Sequence, residues 1–479
     1  HDVLLLEARD QPGGRAGVFE RDGFVFDAGP TVITAPYLID ELFQVLGRDR
    51  KDYVDLLPVD PYYRIDFHDG SSFDYVGDEE RLINQIRAFN PDDVDNYQRL
   101  VAHIRQIFDI GYTELADVPF DRMWDMLKVV PDLVRLGSYR SVYSLVAKYI
   151  RDERLRQVFT FQPLLVGGNP FRVTSIYTLI HWLERKWGVY FAKGGTTALV
   201  HGLVRLLEDS GVEVRYNAPV AELEVRDGNV RAVRLESGEQ IPCSFVVSNA
   251  DPSLVYSKLV APQHRRKHTD GSVRRRRQSM SLFVAYFGTK RTYPELAHHT
   301  IVLGPRYKGL LTDIFDRRVL ADDFSLYLHA PTRTDPSLAP EGCENFYVLS
   351  PVPNNKSGID WSEIGDAYLD RVYSELERRG VPELRDNLIS SDFVTPNYFQ
   401  NELRSLDGAA FGLEPVLTQS AWFRYHNRSE DVGGLFFVGA STHPGAGIPG
   451  VLSTAKVMEK LVPRPTMPAP LPEVRKAAV

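Results

Sequence analysis

The sequence has little cysteine, no strong excess of charge and no long apolar run, and each shortage excludes a class of protein. Two cysteines, Cys243 and Cys343, are too few for a disulfide framework and lack the spacing of a zinc site. A formal net charge of −8 argues against a protein held on nucleic acid by its overall charge. No apolar run approaches the ~18 residues of a membrane-spanning helix, and no signal peptide is expected. These features predict a protein of the reducing cytosol.

Common catalytic motifs are also absent. The sequence contains no His-Glu-x-x-His zinc motif, no phosphate-binding Walker loop and no Gly-x-Ser-x-Gly nucleophile turn. The pair His298-His299 has no third ligand at helical spacing. We therefore predict that both histidines are structural or exposed and that the protein binds no metal.

Strand–loop–helix patterns lie at both ends of the chain, whose 479 residues suffice for two or three domains. The aliphatic run that ends at Glu7 predicts a buried parallel strand; either an earlier segment precedes it or the strand lies at the chain end. Residues 435–438 predict a second buried strand, followed by a helix over residues 453–461. One nucleotide-binding sheet assembled from distant segments is the economical interpretation, and the predicted fold class is α/β (α+β mixed).

Other elements are inserted between these ends. Residues 63–75 alternate around a His-Asp-Gly turn and predict a hairpin. Apolar stripes at helical spacing predict a mainly helical region over residues 80–190. Short strands follow over residues 212–248, and further strands are predicted at 281–288 and 324–330.

Residues 439–450 form the strongest candidate binding site. Four of these twelve residues are glycines, which let a ligand approach the backbone closely. The loop leads into a helix, whose N-terminal N–H groups attract an anion such as a phosphate or the electron-rich edge of a reduced flavin. The alternative is a glycine-rich connection that binds nothing.

Two charged residues near the start are further candidates. Glu7, at the end of its strand, stands where dinucleotide-binding units place an acid for the ribose hydroxyls, although no Gly-x-Gly-x-x-Gly turn precedes it. Arg15 follows two glycines and can pair with a pyrophosphate through its planar fork. A solvated glutamate and a surface arginine in a turn remain open alternatives.

Two segments have the composition of a membrane-binding surface. Residues 115–136 mix apolar side chains with the basic Arg122, Lys128 and Arg135, which is typical of a helix in a membrane interface or of one buried between domains. Residues 265–277 contain two basic runs, which either attract anionic lipid or form a flexible solvated loop.

Several stretches are specific enough to indicate a family. They are residues 4–15 (LLLEARDQPGGR), 26–34 (FDAGPTVIT), 164–171 (LLVGGNPF), 175–180 (SIYTLI), 417–423 (LTQSAWF) and 442–450 (THPGAGIPG). From His1 to about Leu461 the chain resembles the bacterial-type phytoene desaturases of carotenoid biosynthesis. Many related flavoproteins carry an acid where Ala440 stands, whereas the desaturases tolerate a small residue there.

The resemblance implies a non-covalently bound FAD that takes hydride from the substrate. By position, Glu7 would hold the adenosine ribose, Arg15 would lie beside the pyrophosphate and Val220 would meet the adenine. The remaining residues implied in FAD binding are Gly14, Gly29, Thr31, Gly439, Ala440, Pro444, Gly445, Ala446, Gly447, Ile448 and Pro449.

The resemblance also implies a substrate, phytoene, which has no polar group and must be bound through apolar area at ~25 cal/mol per Å². A tunnel lined by helices of the insertions is expected. Asp125 matches a position where the family places an acid near the substrate entry and is the candidate catalytic base; a carboxylate at the membrane interface is the open alternative. A helix presenting Met123, Trp124 and Leu127 would dock on the cytoplasmic face of the cell membrane, with residues 265–277 as a second candidate. Successive desaturation would end at lycopene, and oxygen or a quinone would reoxidise the flavin. A carotenoid isomerase and an inactive lipid-binding relative are the alternatives.

The implied domain organisation is discontinuous. The segments are 1–75, 190–280 and 405–462 for a Rossmann-like FAD-binding domain that lacks its first strand and glycine turn, 281–404 with part of 76–115 for a substrate domain, 116–189 for a helical membrane-associating insertion, and 463–479 for a disordered tail.

Overall fold

The computed structural model describes residues 1–465. Its strands are β1 (Leu4–Leu6), β2 (Val18–Arg21), β3 (Phe24–Asp27), β4 (Leu56–Pro58), β5 (Tyr63–Asp66), β6 (Ser72–Tyr75), β7 (Tyr190–Ala192), β8 (Glu213–Arg215), β9 (Val220–Arg226), β10 (Asn229–Leu235), β11 (Gln240–Pro242), β12 (Val246–Ser248), β13 (Ser281–Thr289), β14 (His299–Val302), β15 (Leu326–His329), β16 (Glu344–Val352), β17 (Leu388–Val394) and β18 (Leu435–Phe437). Its α-helices are α1 (Tyr37–Val45), α2 (Glu79–Phe89), α3 (Asp93–Phe108), α4 (Met123–Arg135), α5 (Val142–Val146), α6 (Glu153–Val158), α7 (Leu179–Trp187), α8 (Thr196–Asp209), α9 (Pro252–Leu254), α10 (Asp270–Arg275), α11 (Tyr307–Thr312), α12 (Trp361–Arg378), α13 (Leu384–Asn387), α14 (Pro396–Asn401) and α15 (Ile448–Leu461). This mixture confirms the predicted α/β (α+β mixed) class.

The largest sheet has seven strands in the order β17-β13-β16-β15-β14-β5-β6. Its neighbours are antiparallel except for the parallel pair β14 and β5. Alternation along β13 gives the sheet two different faces: Phe283 and Phe287 pack toward α12, whereas Val284 and Tyr286 belong to the core on the opposite side. The second face is the one that reaches the candidate site.

Parallel pairing at the two chain ends follows the sequence prediction. β1 pairs with β8, and β12 pairs with β18, both in parallel. β18 is completely buried, as predicted. β1 is not: Leu5 is 37% exposed, since β8 is its one paired neighbour within residues 1–465 and its other side faces a cavity. The prediction of a buried first strand was therefore wrong in burial and right in direction.

Residues 63–75 form the predicted hairpin, with Tyr63 opposite Tyr75. Its sheet is not the one expected, because β5 pairs with β14 and thereby joins the seven-stranded sheet. The predicted division into domains stays a proposal.

The helix that follows the glycine-rich loop begins earlier than predicted. α15 starts at Ile448 rather than near residue 453, and Pro449 occupies its first turn. Proline is favoured there because the N–H that it lacks has no partner within the helix. The backbone of the loop therefore turns into helix inside the glycine motif itself.

Three further findings concern the remaining predictions. No helix among residues 1–465 combines the length and apolarity needed to cross a bilayer. The predicted disordered tail lies, from residue 466 onward, outside the described residues. Residues 265–277 are not a flexible loop: they include α10, and Arg265, Lys267 and Arg277 form ion pairs with acidic partners.

Candidate active site

A single large cavity lies between the parallel strand pairs, the start of α15 and the seven-stranded sheet. Its volume is about 2610 Å³, well above the ~300–1,000 Å³ of ordinary small-molecule sites. The cavity has room for two large ligands. Its two ends differ in chemistry.

One end is formed by backbone of the glycine-rich loop. Residues 446–451 line the cavity where α15 begins, so the first turn of the helix faces it. Gly447 precedes the helix with φ 94°, a conformation that side-chain-bearing residues avoid. A helix N-terminus offers unpaired N–H groups and partial positive charge, which suits an electron-rich or anionic group.

Arg15 supplies the fixed positive charge at this end. Its guanidinium is buried beside the cavity, donates to the Ser405 hydroxyl, and leaves Nε without a partner within residues 1–465. Burial lowers its pKa, and the carboxylate of Asp251 acts in the opposite direction. The Arg15 loop packs directly against Gly29, where no side chain fits because a Cβ would lie 1.8 Å from the Arg15 carbonyl oxygen. A buried guanidinium with a free N–H fits a phosphate oxygen.

Most of the residues predicted to bind FAD surround this one cavity. The lining includes Glu7, Gly14, Arg15, Gly29, Thr31, Val220, Ala440, Pro444, Ala446, Gly447, Ile448 and Pro449. Gly439 and Gly445 are not part of the lining. Gly439 lies against Asn249, where a Cβ would be 2.3 Å from the side-chain oxygen, so its function is close packing behind the loop.

The other end of the cavity is apolar. The inner face of the seven-stranded sheet contributes Leu282, Val284, Ile301 and Leu349. The helical region contributes a second group, Phe120, Val129, Leu133, Leu179, Ile180 and Leu183. The predicted apolar tunnel therefore has a helical wall, as expected, and a sheet wall that the sequence analysis did not anticipate.

α4 separates this apolar end from solvent. Val129 and Leu133 face the cavity, while Trp124 and Leu127 on the outer side are 65% and 50% exposed. Asp125 lies in the first turn of α4, where its carboxylate is 3.7 Å from Lys128 Nζ, and it is not part of the cavity lining. The structure does not bring the predicted catalytic acid to the cavity.

Glu184 is a cavity-lining carboxylate that the sequence analysis missed. It is 1% exposed on α7; Oε1 accepts a hydrogen bond of 2.8 Å from the Tyr63 hydroxyl, and Oε2 has no partner within the described chain. Burial raises the pKa of Glu184 to about 8, against the smaller opposing effect of its polar neighbours Tyr63, Gln162 and Tyr75. The sequence could have indicated Glu184 through its position, because it lies one helical turn after Ile180 on the apolar face of α7.

Asp27 is the second buried carboxylate on the lining. Its Oδ1 accepts a 2.7 Å hydrogen bond from the Thr196 N–H at the start of α8. Burial raises the pKa of Asp27 to about 7, and the hydrogen bonds from Thr196 oppose the shift. Asp27 therefore caps a helix and borders the cavity at the same time.

Comparison with known proteins identifies the family. The sequence model described as flavin containing amine oxidoreductase matches residues 1–457. The chain is 50% identical over 461 residues to a phytoene desaturase (lycopene-forming) of Pantoea ananas, which covers 96% of this chain and 94% of that protein. The chain belongs to the phytoene desaturases of the flavin-containing amine oxidoreductase family.

A second desaturase agrees with this membership, and a solved structure shares the fold. A phytoene desaturase (neurosporene-forming) of Rhodobacter capsulatus is 40% identical over 484 residues, covering 100% of this chain and 92% of that protein. A crystal structure of an oxidoreductase from Methanosarcina mazei matches with a TM-score of 0.65 at 13% identity, covering 96% of this chain and 94% of that chain. At that identity the match shows a shared fold.

FAD is the cofactor of this family, and the residues present fit it. The buried guanidinium of Arg15, whose Nε has no partner within residues 1–465, would pair with the pyrophosphate, and the start of α15 would face the flavin ring with its backbone N–H groups. Glu7 lines the cavity at the end of β1, where a ribose would lie. Its Oε1 accepts a hydrogen bond from the Arg9 N–H, so Oε2 is the atom that the ribose would use.

Proposed function

We propose that the protein is an FAD-dependent desaturase that converts phytoene to lycopene by successive removal of hydrogen. The observation that carries this proposal is the continuity of one cavity, in which an anion-binding backbone end opens into a long apolar end. Such a site suits a redox cofactor beside a substrate that has no polar group. Bound FAD supplies the acceptor for the hydride that leaves the hydrocarbon.

The chain itself binds and orients the substrate. Phytoene offers no hydrogen-bonding group, so its position is fixed by the shape of the walls formed by Val284, Leu349 and Leu133. Apolar walls also exclude water from the reacting carbon atoms, and orientation of this kind accelerates a transfer step.

Each new double bond also requires loss of a proton, and we assign its acceptance to Glu184. Glu184 is a residue of the cavity lining, its buried Oε2 has no hydrogen-bond partner within residues 1–465, and the Tyr63 hydroxyl holds Oε1. A carboxylate held in this way can take a proton from the carbon next to the one that loses hydride. The two hydrogens of each step thus leave as a hydride to the cofactor and a proton to Oε2.

The outer face of α4 suits a membrane surface, which is where phytoene dissolves. Its exposed apolar residues are Met123, Trp124, Leu127, Val130 and Val134. Because the inner face of the same helix lines the cavity, substrate taken from the bilayer would pass next to α4. We place the protein at the cytoplasmic face of the membrane, with oxygen or a quinone as the final electron acceptor.

The test is to incubate the purified full-length protein and FAD with phytoene-loaded liposomes, under air or with an added quinone. We expect the absorption bands of a longer polyene and products that are two mass units lighter for every step. An unchanged mass with altered double-bond geometry would instead identify an isomerase. A protein that binds flavin and lipid but changes neither mass nor geometry would be the inactive relative.

A further inference from the structure

Three buried histidines lie together beneath the wall of the cavity. His298 immediately precedes β14, His299 begins it, and His329 ends the neighbouring strand β15, where it pairs with His299. All three are at most 4% exposed. Antiparallel pairing thus brings a third histidine to the pair His298-His299 from thirty residues further along the chain, at a spacing that no helix provides.

The three rings converge. One nitrogen from each ring lies within 4.8 Å of a nitrogen from both others. A tetrahedral centre with zinc–nitrogen bonds of ~2.1 Å separates its ligand atoms by roughly 3.4 Å, so the rings would have to move closer together by about an ångström to share one ion.

Polar neighbours orient the rings from outside. Nδ1 of His298 is 2.5 Å from the Thr334 hydroxyl, and Nδ1 of His299 is 2.7 Å from the Tyr327 hydroxyl. Metal-bound histidines usually have the second ring nitrogen held by such a partner. The Nε2 atoms of His298, His299 and His329 have no hydrogen-bond partner among the described residues.

An acid stands beside the cluster. Oδ2 of Asp27 lies 3.6 Å from Nε2 of His329, and it too has no hydrogen-bond partner within residues 1–465. The three Nε2 atoms and Oδ2 of Asp27 are thus four buried polar atoms without hydrogen-bond partners among the described residues, and each such atom lowers the free energy of unfolding. A divalent cation would satisfy the three nitrogens, and the carboxylate would offset part of its charge.

We propose that His298, His299 and His329 bind one divalent transition-metal ion, with zinc as the best match for three imidazoles in a closed, buried site. The ion would join β14 to β15 at the edge of the cavity wall. Since Asp27 and Tyr327 contact the cluster on one side and line the cavity on the other, the site would fix this part of the wall.

The test uses the full-length protein purified without a polyhistidine tag, and its readout is metal content. After the protein is exposed to zinc sulfate and free metal is removed, elemental mass spectrometry should find about one zinc ion per chain, as in a structural site. Zinc X-ray absorption should show imidazole ligands, and zinc should raise the thermal unfolding midpoint.

Variants locate the ion. His298→Gln and His329→Gln should each lose the bound zinc, whereas His201→Gln, which changes an exposed histidine, should retain it. Wild-type protein that holds less than about a tenth of an equivalent after zinc exposure would overturn the proposal. So would zinc that persists in both cluster variants. If a cluster variant fails to fold, the wild-type stoichiometry and its absorption spectrum still decide.

Discussion

The two ends of the cavity are built in different ways. At the cofactor end, the lining includes one continuous stretch, residues 446–451, where α15 begins, together with Arg15. At the apolar end, side chains from the sheet and from the helical region, far apart in sequence, share one wall. A backbone site can be encoded in consecutive residues, whereas a hydrocarbon site is divided among segments that only folding brings together.

The largest expected effect tests the chemistry of the apolar end. Glu184→Gln should lower kcat by about 100-fold or more, because an amide cannot accept the proton. Asp125→Asn, which alters the acid on α4 outside the cavity, is the matched comparison and should change kcat by less than about 3-fold. Product formation from phytoene in liposomes measures both. A larger loss of kcat in Asp125→Asn than in Glu184→Gln would assign proton acceptance to Asp125 instead.

The same carboxyl group predicts two pH dependences. Since the pKa of Glu184 is raised to about 8, the fraction ready to accept a proton grows as pH rises through that value, and kcat should rise with it in wild type. Stability should change in the opposite sense: the folded state favours the protonated acid, so the free energy of unfolding falls as pH rises from about 4.5 to 8. Glu184→Gln should abolish the rise of kcat and lessen the fall of stability, of which the part due to Asp27, whose pKa burial raises to about 7, remains. Kinetics and thermal melts would show both changes.

The second effect tests the backbone end. Gly447→Val should weaken FAD binding by about 10-fold or more, because a β-branched residue resists φ 94° and its Cβ would lie 3.2 Å from a methyl group of Val166 on the cavity lining. Gly228→Val is the control: it also replaces a glycine of positive φ, but its Cβ meets nothing within 4 Å. Flavin absorbance per chain after purification measures the difference. Equal flavin loss in both variants would attribute the effect to strain alone.

The smallest effect concerns the outside of the apolar end. Leu127→Ser should weaken binding to liposomes by about 3- to 10-fold, since it removes apolar area from the exposed face of α4. Val319→Ser, which changes a residue of similar exposure (47% against 50%) elsewhere on the surface, should not. Co-sedimentation with vesicles compares them. Equal loss in both variants would remove α4 from its docking role.

Local patterns sufficed for much of the fold and of the cofactor site. The strand at residues 435–438, the hairpin at 63–75 and most of the loop at 439–450 were predicted because each depends on neighbours in sequence. Glu184 was missed because a single charge on an apolar helix face is usually solvated, and its burial depends on Tyr63 and the sheet behind it. The sheet wall of the cavity was missed because it depends on pairing between strands that are distant along the chain.

The amino-acid sequence by itself determined the glycine-rich loop that lines the cavity, the apolar stripes of the helices and, through its motifs, the family. Only the tertiary structure decided that β5 and β6 join the seven-stranded sheet, that Asp125 stays outside the cavity while Glu184 lines it, and that His329 meets His298 and His299. The reason is physical. Hydrophobic periodicity and the hydrogen bonds within turns and helices involve residues a few positions apart. Burial and the convergence of side chains depend instead on strand pairing between residues that are distant along the chain.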